Sequence, residues 1–380
     1  MGSYSLIQVV LSGFFLQNGL SPGFIGLLLL CSFSMPVYLN LSFARGWTRP
    51  LWLMPLFFGY FFLSSLTALV LGVMWGVWWT ALHLKVFSNS GKPSGMVQFY
   101  TVSATWFMIL FVVLKNRFRG PRIRERVLPV ETLAPELEGL KILHVSDIHV
   151  GIFESDRSLA RLRSAIESVS YDILVFTGDM IDRKLSEIDR FLRFFGDLKG
   201  RLGVFCVLGN HEYWIDGPAI ASRLKDAGWP VLENDSRRIA IGNHAITLVG
   251  ISDPSAEESG LGGPNPEMAF REVSRPAGDV VVVLAHHPML WDLLRSYPAN
   301  LTLSGHTHGG QIGLFLSGWT LASPFYAYDL GLFSRMGADG KQWLLVNSGT
   351  GYFGVPVRIG VPSSLELVVL SEKESGPNEG

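Results

Sequence analysis

Hydrophobic and polar positions follow two different patterns, which divide the chain into an N-terminal third and a longer remainder. In the first third the apolar stretches are long. Stretches 23–41 and 96–114 each have the length of one bilayer crossing, and 51–82 is longer than one crossing requires. A shorter apolar stretch, 5–16, precedes them. The pattern predicts an all-α transmembrane region over 1–114, with three or four helices.

Two of these stretches allow more than one interpretation. Stretch 51–82 forms either one tilted helix, with Trp75, Trp78 and Trp79 at the membrane interface, or a tight pair of helices. Stretch 5–16 is a first span, an interfacial helix or an uncleaved signal-like anchor. The number of spans therefore stays open.

From residue 140 the pattern changes to short apolar runs that alternate with amphipathic periodicity. Such alternation predicts an α/β domain over 140–371, with sheets packed on each other and helices outside. The predicted strands are 141–145, 173–176, 204–208, 245–249, 280–284, 301–303, 343–346 and 365–370, and the predicted helices are 158–169, 185–198 and 219–227. Segment 253–268, rich in Gly, Pro, Ser and Glu, is predicted to be a loop that could act as a lid, and 372–380 a disordered tail.

Charge is distributed as unevenly as hydrophobicity. Residues 1–124 contain no Asp or Glu, and segment 115–126 holds six Lys and Arg against one Glu. We therefore expect 115–139 to be a basic juxtamembrane linker, and the positive-inside bias places the domain after it on the cytoplasmic side of a multi-pass membrane protein. The basic segment is a topology determinant, with attraction to anionic membrane lipids as a further option.

The domain itself is acidic. From residue 127 onward, 31 Asp and Glu stand against 21 Lys and Arg. Proteins that bind nucleic acid neutralise phosphates with a basic face, so nucleic acid is not an expected partner.

Metal-type side chains follow five of the apolar runs. The stretches are SDIH (146–149), TGD (177–179), GNHE (209–212), AHHP (285–288) and GHTHGGQ (305–311). Each alone has an ordinary structural explanation. Together they predict one site, because ligands collect at the carboxyl ends of strands in open sheets.

In this order and at these spacings, DIH, GDMID, GNHE, AHHP and GHTHGGQ resemble the calcineurin-like metallophosphoesterase family. The N-terminal apolar third is similar to that of its bacterial membrane-anchored branch, which implies an inner-membrane location. The resemblance covers about 140–371. It implies a four-layer double β-sandwich flanked by helices.

The resemblance also implies a role for each matching residue. Asp147, His149 and His308 would bind one metal ion, Asn210, His286 and His306 a second, and Asp179 both, while His211 would touch the phosphate and assist the leaving group. Imidazole, carboxylate and amide donors suit two divalent ions such as Mn, Fe or Zn. Two carboxylates do not neutralise two such ions, so the site stays attractive to phosphate.

Three further residues are candidates for substrate binding. His287 follows a ligand and either lines the substrate pocket or supports the ligands. Gln311 could contact phosphate or simply belong to its turn. The family branch often carries an arginine at the position of Ser348, and Arg358 could take over its contact with phosphate. Asp182 and Glu212 are candidates to orient the imidazoles.

These observations predict a membrane-anchored phosphoesterase that hydrolyses a phosphate mono-, di- or pyrophosphate ester by attack of metal-bound hydroxide. The anchor makes a lipid-linked substrate one option. The alternative is a non-catalytic membrane sensor or scaffold with a phosphoesterase-like binding domain. Loss of a ligand is typical of such proteins, and all eight positions are intact here.

Overall fold

The computed structural model describes residues 119–314, 318–354 and 356–372, with residues 104, 107, 108, 111, 115 and 116 before them. Contacts divide the chain into two units, 1–114 and 115–380. Apart from residues 104, 107, 108 and 111 of stretch 96–114, the predicted transmembrane helices lie outside the described residues, as does the tail after 372. Among the residues that are described, no helix combines the length and the apolar character that a membrane crossing requires.

Two mixed sheets form the second unit. The first has five strands in the order β1-β11-β2-β3-β4, and the second has six in the order β5-β6-β7-β8-β10-β9. The strands are β1 Arg122–Pro129, β2 Lys141–Val145, β3 Ile173–Thr177, β4 Gly203–Val207, β5 Asp235–Ile241, β6 His244–Ile251, β7 Val280–Ala285, β8 Leu301–Ser304, β9 Gly331–Gly337, β10 Gly340–Val346 and β11 Ser364–Ser371.

Helices cover the outer faces. They are α1 Asp156–Glu167, α2 Glu187–Phe195, α3 Asn210–Asp226, α4 Ser255–Glu258 and α5 Pro266–Phe270, with 3-10 turns at Pro135–Leu137, Pro288–Leu294 and His308–Gly310. Helix α1 begins where the Ser155 hydroxyl accepts from the Ser158 amide at 3.2 Å. Helix α3 is kinked at Asp216, two residues before Pro218.

The hydrophobic core lies in three layers between these elements. One cluster joins β2, β3 and β4 to α1, α2 and α3, a second lies between the inner faces of the two sheets, and a third packs the second sheet against α5 and the Pro288–Leu294 turn. Strands β3 and β7 are buried along their whole length. That burial explains why they read as continuous apolar runs, as strands covered on both faces do. The predicted packed sheets with helices outside are confirmed.

The first strand corrects the prediction of a linker over 115–139. Strand β1 pairs parallel with β11 over its whole length, from Arg122 against Ser364 to Pro129 against Ser371. Its basic residues have a structural partner, because Arg124 and Arg126 form ion pairs with the buried carboxylate of Glu366 on β11. Part of the basic segment therefore belongs to the sheet.

The predicted loop 253–268 contains most of two short helices instead of a continuous loop. Ala256 on α4 is buried in the helix-side core, and the Asn265 side chain accepts from the Met268 amide at 2.9 Å at the start of α5. These anchors hold the segment against the domain. A role as a lid stays a prediction.

Candidate metal centre

Every predicted ligand lies just beyond the carboxyl end of a strand, at the same edge of the two sheets. Strands β2, β3 and β4 run parallel in the first sheet, and β7 and β8 run parallel in the second. Their ends therefore meet, and the ligands come together from five different loops. The residues are Asp147 and His149 after β2, Asp179 after β3, Asn210 and His211 after β4, His286 after β7, and His306 and His308 after β8.

Three of the ligands form an inner group, which we define as Asp147, His149 and His308. Nε2 of His308 lies 3.3 Å from Oδ1 of Asp147 and 3.0 Å from Nε2 of His149. All three residues are buried. One ligand atom from each could reach a common centre.

The outer group consists of Asn210, His286 and His306. Oδ1 of Asn210 lies 3.0 Å from Nε2 of His286 and 3.0 Å from Nδ1 of His306. These two ring nitrogens are 3.3 Å apart. His306 is the one member of this group that is only partly buried.

Asp179 lies between the two groups. Its Oδ2 is 3.6 Å from Nε2 of His149 in the inner group and 3.3 Å from Nε2 of His286 in the outer group. One carboxylate oxygen thus faces both centres. This is the position that a bridging ligand requires.

The ring nitrogens show that these side chains fit cations. Nε2 of His149 points at Nε2 of His308 in the inner group. In the outer group Nε2 of His286 points at Nδ1 of His306. Two unprotonated imidazole nitrogens cannot hydrogen-bond to each other, because each offers only a lone pair. A cation between them can bind both lone pairs. The donor set therefore fits two divalent metal ions.

Burial favours the neutral imidazoles that metals bind. It lowers the pKa of His306 to about 2 and the pKa of His308 well below its usual value. For His286 burial acts in the same direction, but the nearby Asp179 carboxylate outweighs it and holds the pKa well above 6.5.

The backbone at the site adopts a conformation that side chains rarely take. Five ligands have left-handed φ angles, and they are Asp147 at 53°, His149 at 48°, Asp179 at 52°, His306 at 69° and His308 at 51°. Residues other than glycine rarely adopt such angles, and those that do concentrate at functional sites. Glycine fills the tightest position, because a Cβ at Gly305 would overlap Ser146 Oγ and Asp147 Oδ2.

Glu212 supports the backbone beneath the ligands. Its carboxylate accepts from the amides of Asp179 and Gly209, each at 2.8 Å, and of Ile181 at 3.1 Å. Desolvation raises the pKa of Glu212 to about 7. The predicted supporting residue thus orients the loops after β3 and β4 and not an imidazole.

Asp182 orients the predicted proton donor. Its carbonyl oxygen lies 2.6 Å from Nδ1 of His211, and because a carbonyl only accepts, Nδ1 carries the proton. Its carboxylate lies 3.6 Å from Nδ1 of both His149 and His211. Nε2 of His211 is left for a substrate.

Two of the three predicted substrate contacts form hydrogen bonds with the backbone of a neighbouring loop, and their contact with phosphate stays a prediction. Gln311 donates through Nε2 to Phe353 O at 2.8 Å and accepts through Oε1 from Phe353 N at 3.1 Å. Arg358 is buried behind His308, with Nη2 3.2 Å from its Nδ1, and donates to the carbonyls of Ser348 and Gly351 at 2.7 to 3.1 Å. Both side chains hold the loop after β10.

His287 remains a candidate. Its ring lies 4.4 Å from that of His306 and 5.8 Å from that of Tyr326, and burial lowers the pKa of His287 to about 4. The ring is thus neutral at the partly open side of the outer group. This position suits a hydrogen bond to substrate.

Sequence reasoning missed residues that complete the surroundings. Tyr326 places its hydroxyl 3.1 Å from Nε2 of His306. Asp253 follows β6 and is buried; Oδ1 accepts from Ser255 N at 2.9 Å, and Oδ2 has no hydrogen-bond partner among the described residues. The signal for Asp253 was present, since it follows an apolar run as the ligands do. Tyr326 lies in a loop without a comparable signal.

The chain is similar in sequence to known phosphoesterases. Residues 140–310 match the family model of the calcineurin-like phosphoesterases. An uncharacterized metallophosphoesterase of Aquifex aeolicus is 29% identical over 252 residues, which cover 66% of this chain and 92% of that protein. A Danio rerio protein named as a transmembrane protein with a metallophosphoesterase domain is 29% identical over 265 residues, covering 68% of this chain and 59% of its own length. A Thermus thermophilus 5'-nucleotidase precursor structure superposes with a TM-score of 0.38 at 16% identity, over 61% of this chain and 54% of its own.

Proposed function

The chain carries a calcineurin-like phosphoesterase domain, a metal-dependent hydrolase, and we propose that it is a membrane-anchored enzyme that uses two divalent ions. The observation that carries the proposal is the position of Asp179 between two groups of imidazole and oxygen donors, 3.6 Å from one and 3.3 Å from the other. The proposed bond is a phosphate mono-, di- or pyrophosphate ester.

The chemistry divides between the ions and the side chains. Two divalent ions, when bound, supply an activated water molecule and stabilise charge on the phosphoryl oxygens during an in-line displacement. The inner and outer groups hold and space them, and Asp179 contributes the shared carboxylate. The neutral Asn210 leaves the site more positive than a third carboxylate would, which favours an anionic substrate.

His211 is the proposed proton donor to the leaving group. The Asp182 carbonyl fixes its Nδ1 proton, so Nε2 faces outward for a second proton. Burial lowers the pKa of His211, and a phosphate dianion beside the ring opposes that effect. In this proposal His211 donates a proton or a hydrogen bond to the leaving oxygen as the P–O bond breaks.

The membrane anchor is the other part of the proposal. It is supported by the apolar stretches in 1–114 and by relatives from Danio rerio and Bos taurus whose names include "transmembrane protein". The proposed topology is multi-pass, with the domain in the cytoplasm of a bacterial cell. Retention of the full chain in membranes after alkaline carbonate extraction tests the anchor, and protease access to inverted vesicles tests the side.

Activity is tested on the full chain with Mn, Fe or Zn and with p-nitrophenyl phosphate, bis(p-nitrophenyl) phosphate and an alkyl pyrophosphate as substrates. Asp179→Asn should lose metal and turnover, and His211→Ala should lose turnover but keep metal. The matched control is His244→Gln, at the opposite end of β6, where Nδ1 lies 3.1 Å from Oδ1 of Asp279. Stoichiometric metal binding without turnover of any of the three would favour the non-catalytic sensor or scaffold.

A further inference from the structure

A long uncharged segment lies beside the metal centre. The uncharged loop, defined as the described residues 312–314 and 318–328, contains no Asp, Glu, Lys, Arg or His, and residues 315–317 of the sequence between them add none. Its described part exposes Leu314, Trp319, Leu321 and Phe325 at 63%, 41%, 47% and 79%. Single exposed apolar residues are ordinary, but an exposed segment with several of them and no charge marks an interaction surface.

The base of the loop is fixed to the site. Oδ2 of Asp329 accepts from the hydroxyls of Thr320 at 2.7 Å and Ser323 at 2.6 Å, and the Thr307 hydroxyl donates to Asp329 O. Tyr326 within the loop reaches His306 of the outer group. The exposed side chains are therefore held next to the metal ligands.

Exposed aromatic residues continue this surface past the catalytic histidine. Trp214 and Phe353 are 59% and 54% exposed, and their rings lie 5.1 Å and 5.9 Å from the ring of His211. Gln311, which precedes the uncharged loop, bonds to the backbone of Phe353 and ties the two segments together. The site is thus flanked by apolar side chains on both sides.

The composition of the loop identifies its partner. Tryptophan, tyrosine and phenylalanine together with leucine, without charge, are typical of segments that lie in the interface of a bilayer. The sequence of 1–114 predicts a chain that is already held at a membrane. A partner that recognised the loop through ion pairs would find no charge on it.

We propose that the uncharged loop inserts into the headgroup and upper acyl layer of a lipid bilayer, so that the metal centre receives phosphate esters carried by lipids. The insertion rests on the loop and on the predicted anchor in 1–114. Delivery of a lipid-borne ester rests on the proposed function. The two parts are therefore tested by separate measurements.

Insertion is measured with a fluorophore on a single cysteine. In a Cys31→Ser background, Phe325→Cys carries the label, while Cys206 stays unreactive because it is buried. Met336→Cys is the matched control, since Met336 is 64% exposed on β9 at the end of the sheet opposite the site. The labelled full chains are reconstituted in phosphatidylcholine vesicles that contain some phosphatidylglycerol and doxyl-labelled lipid.

The expected result is that doxyl lipid quenches most of the emission at position 325 and none at position 336. Quenching of both labels by aqueous iodide, and of neither by doxyl lipid, would overturn insertion. A blue-shifted label at 325 that neither agent quenches would also overturn it, because protein and not lipid would cover the loop. Flotation of the unlabelled chain with the vesicles reports the anchor independently, and a chain that does not float contradicts both proposals.

Delivery is measured with Phe325→Asp and the control Met336→Asp. Phe325→Asp removes one aromatic side chain from the bilayer. This should lower turnover of a vesicle-borne lipid phosphate by about tenfold or more. Turnover of p-nitrophenyl phosphate should be unchanged in both variants. An equal effect on both substrates would overturn delivery, and absence of all turnover in the unmodified chain would contradict the proposed function while leaving the quenching result valid.

Discussion

The inner and outer groups of ligands have the same kinds of donor but different surroundings. Behind the inner group, Nη2 of the buried Arg358 lies 3.2 Å from Nδ1 of His308. Behind the outer group, the Tyr326 hydroxyl lies 3.1 Å from Nε2 of His306, and His306 is partly exposed. One group is closed by a cation that also holds a loop, and the other opens towards substrate through a neutral phenol. We therefore expect the two proposed ions to differ in exchange and in stability.

The strongest test removes what the two groups share. Asp179→Asn takes away the carboxylate charge that lies between the two groups, so we expect turnover to fall by roughly a thousandfold or more, the several kcal/mol that metal catalysis contributes. Metal analysis should show that both ions are lost or weakened together. If one ion kept its full affinity, Asp179 would belong to a single group and would not be shared by the inner and outer groups.

Arg358→Met should destabilise the fold more than it affects the ion. The guanidinium donates to the buried carbonyls of Ser348 and Gly351, and removing it leaves them without those donors. The expected loss is about 3 kcal/mol in the free energy of unfolding, measured by denaturant titration. Arg335→Met is the control, since Arg335 lies over the ring of Trp291, away from the ligands. An unchanged midpoint with lost metal would make Arg358 part of the metal site instead.

Tyr326→Phe should act on the outer ion alone. Loss of the hydroxyl that orients His306 is expected to weaken metal affinity about tenfold, the scale of partners that orient metal ligands. Brief chelation should then remove one ion faster from the variant than from the unmodified chain. Metal analysis after chelation measures the ion that each protein retains. Tyr328→Phe, which removes a hydroxyl bonded to Asp292 at 2.8 Å, is the control. Equal loss of both ions would contradict separate surroundings.

The smallest effect concerns a histidine in neither group. His144 on β2 is buried, and burial lowers its pKa to about 3. Between pH 3 and its unfolded pKa of about 6.5 the unfolded chain binds more protons, so stability is lost as the pH falls through that window.

His144→Gln removes this titration, and Gln can still bond to Thr177, which lies 2.7 Å from Nε2 of His144. The unmodified chain should lose about 1.4 kcal/mol more per pH unit than the variant below pH 6. The difference between the two unfolding curves cancels the contribution of the ligands. Parallel curves would show that His144 is protonated in the fold.

The ligands could be predicted because both the ends of the strands and the types of the residues that follow them can be recognised in the sequence. His286 and Asp147 lie 139 positions apart in the numbering, yet each follows a buried apolar run, and the ends of parallel strands meet. The roles of Gln311 and Arg358 could not be predicted in the same way. Gln311 has a φ of 60°, and that turn directs its amide to Phe353. Backbone direction at a single turn is set by its neighbours in space.

Three strands were missed for a common reason. Strand β1 carries basic residues that pair with Glu366, and β5 and β9 alternate between exposed and half-buried positions. All three lie at sheet edges, where one face and one side meet water, so their apolar signal is weak.

The order of the first sheet has a consequence for biosynthesis. Strand β11 lies between β1 and β2, which are separated from it by more than 200 residues of sequence. On the ribosome, β1 emerges early and has no neighbour to bond with until residue 371 has been made. Completion of this sheet thus waits until β11 has been made, and a chain that stops before β11 leaves β1 and β2 as open edges available to chaperones or to aggregation.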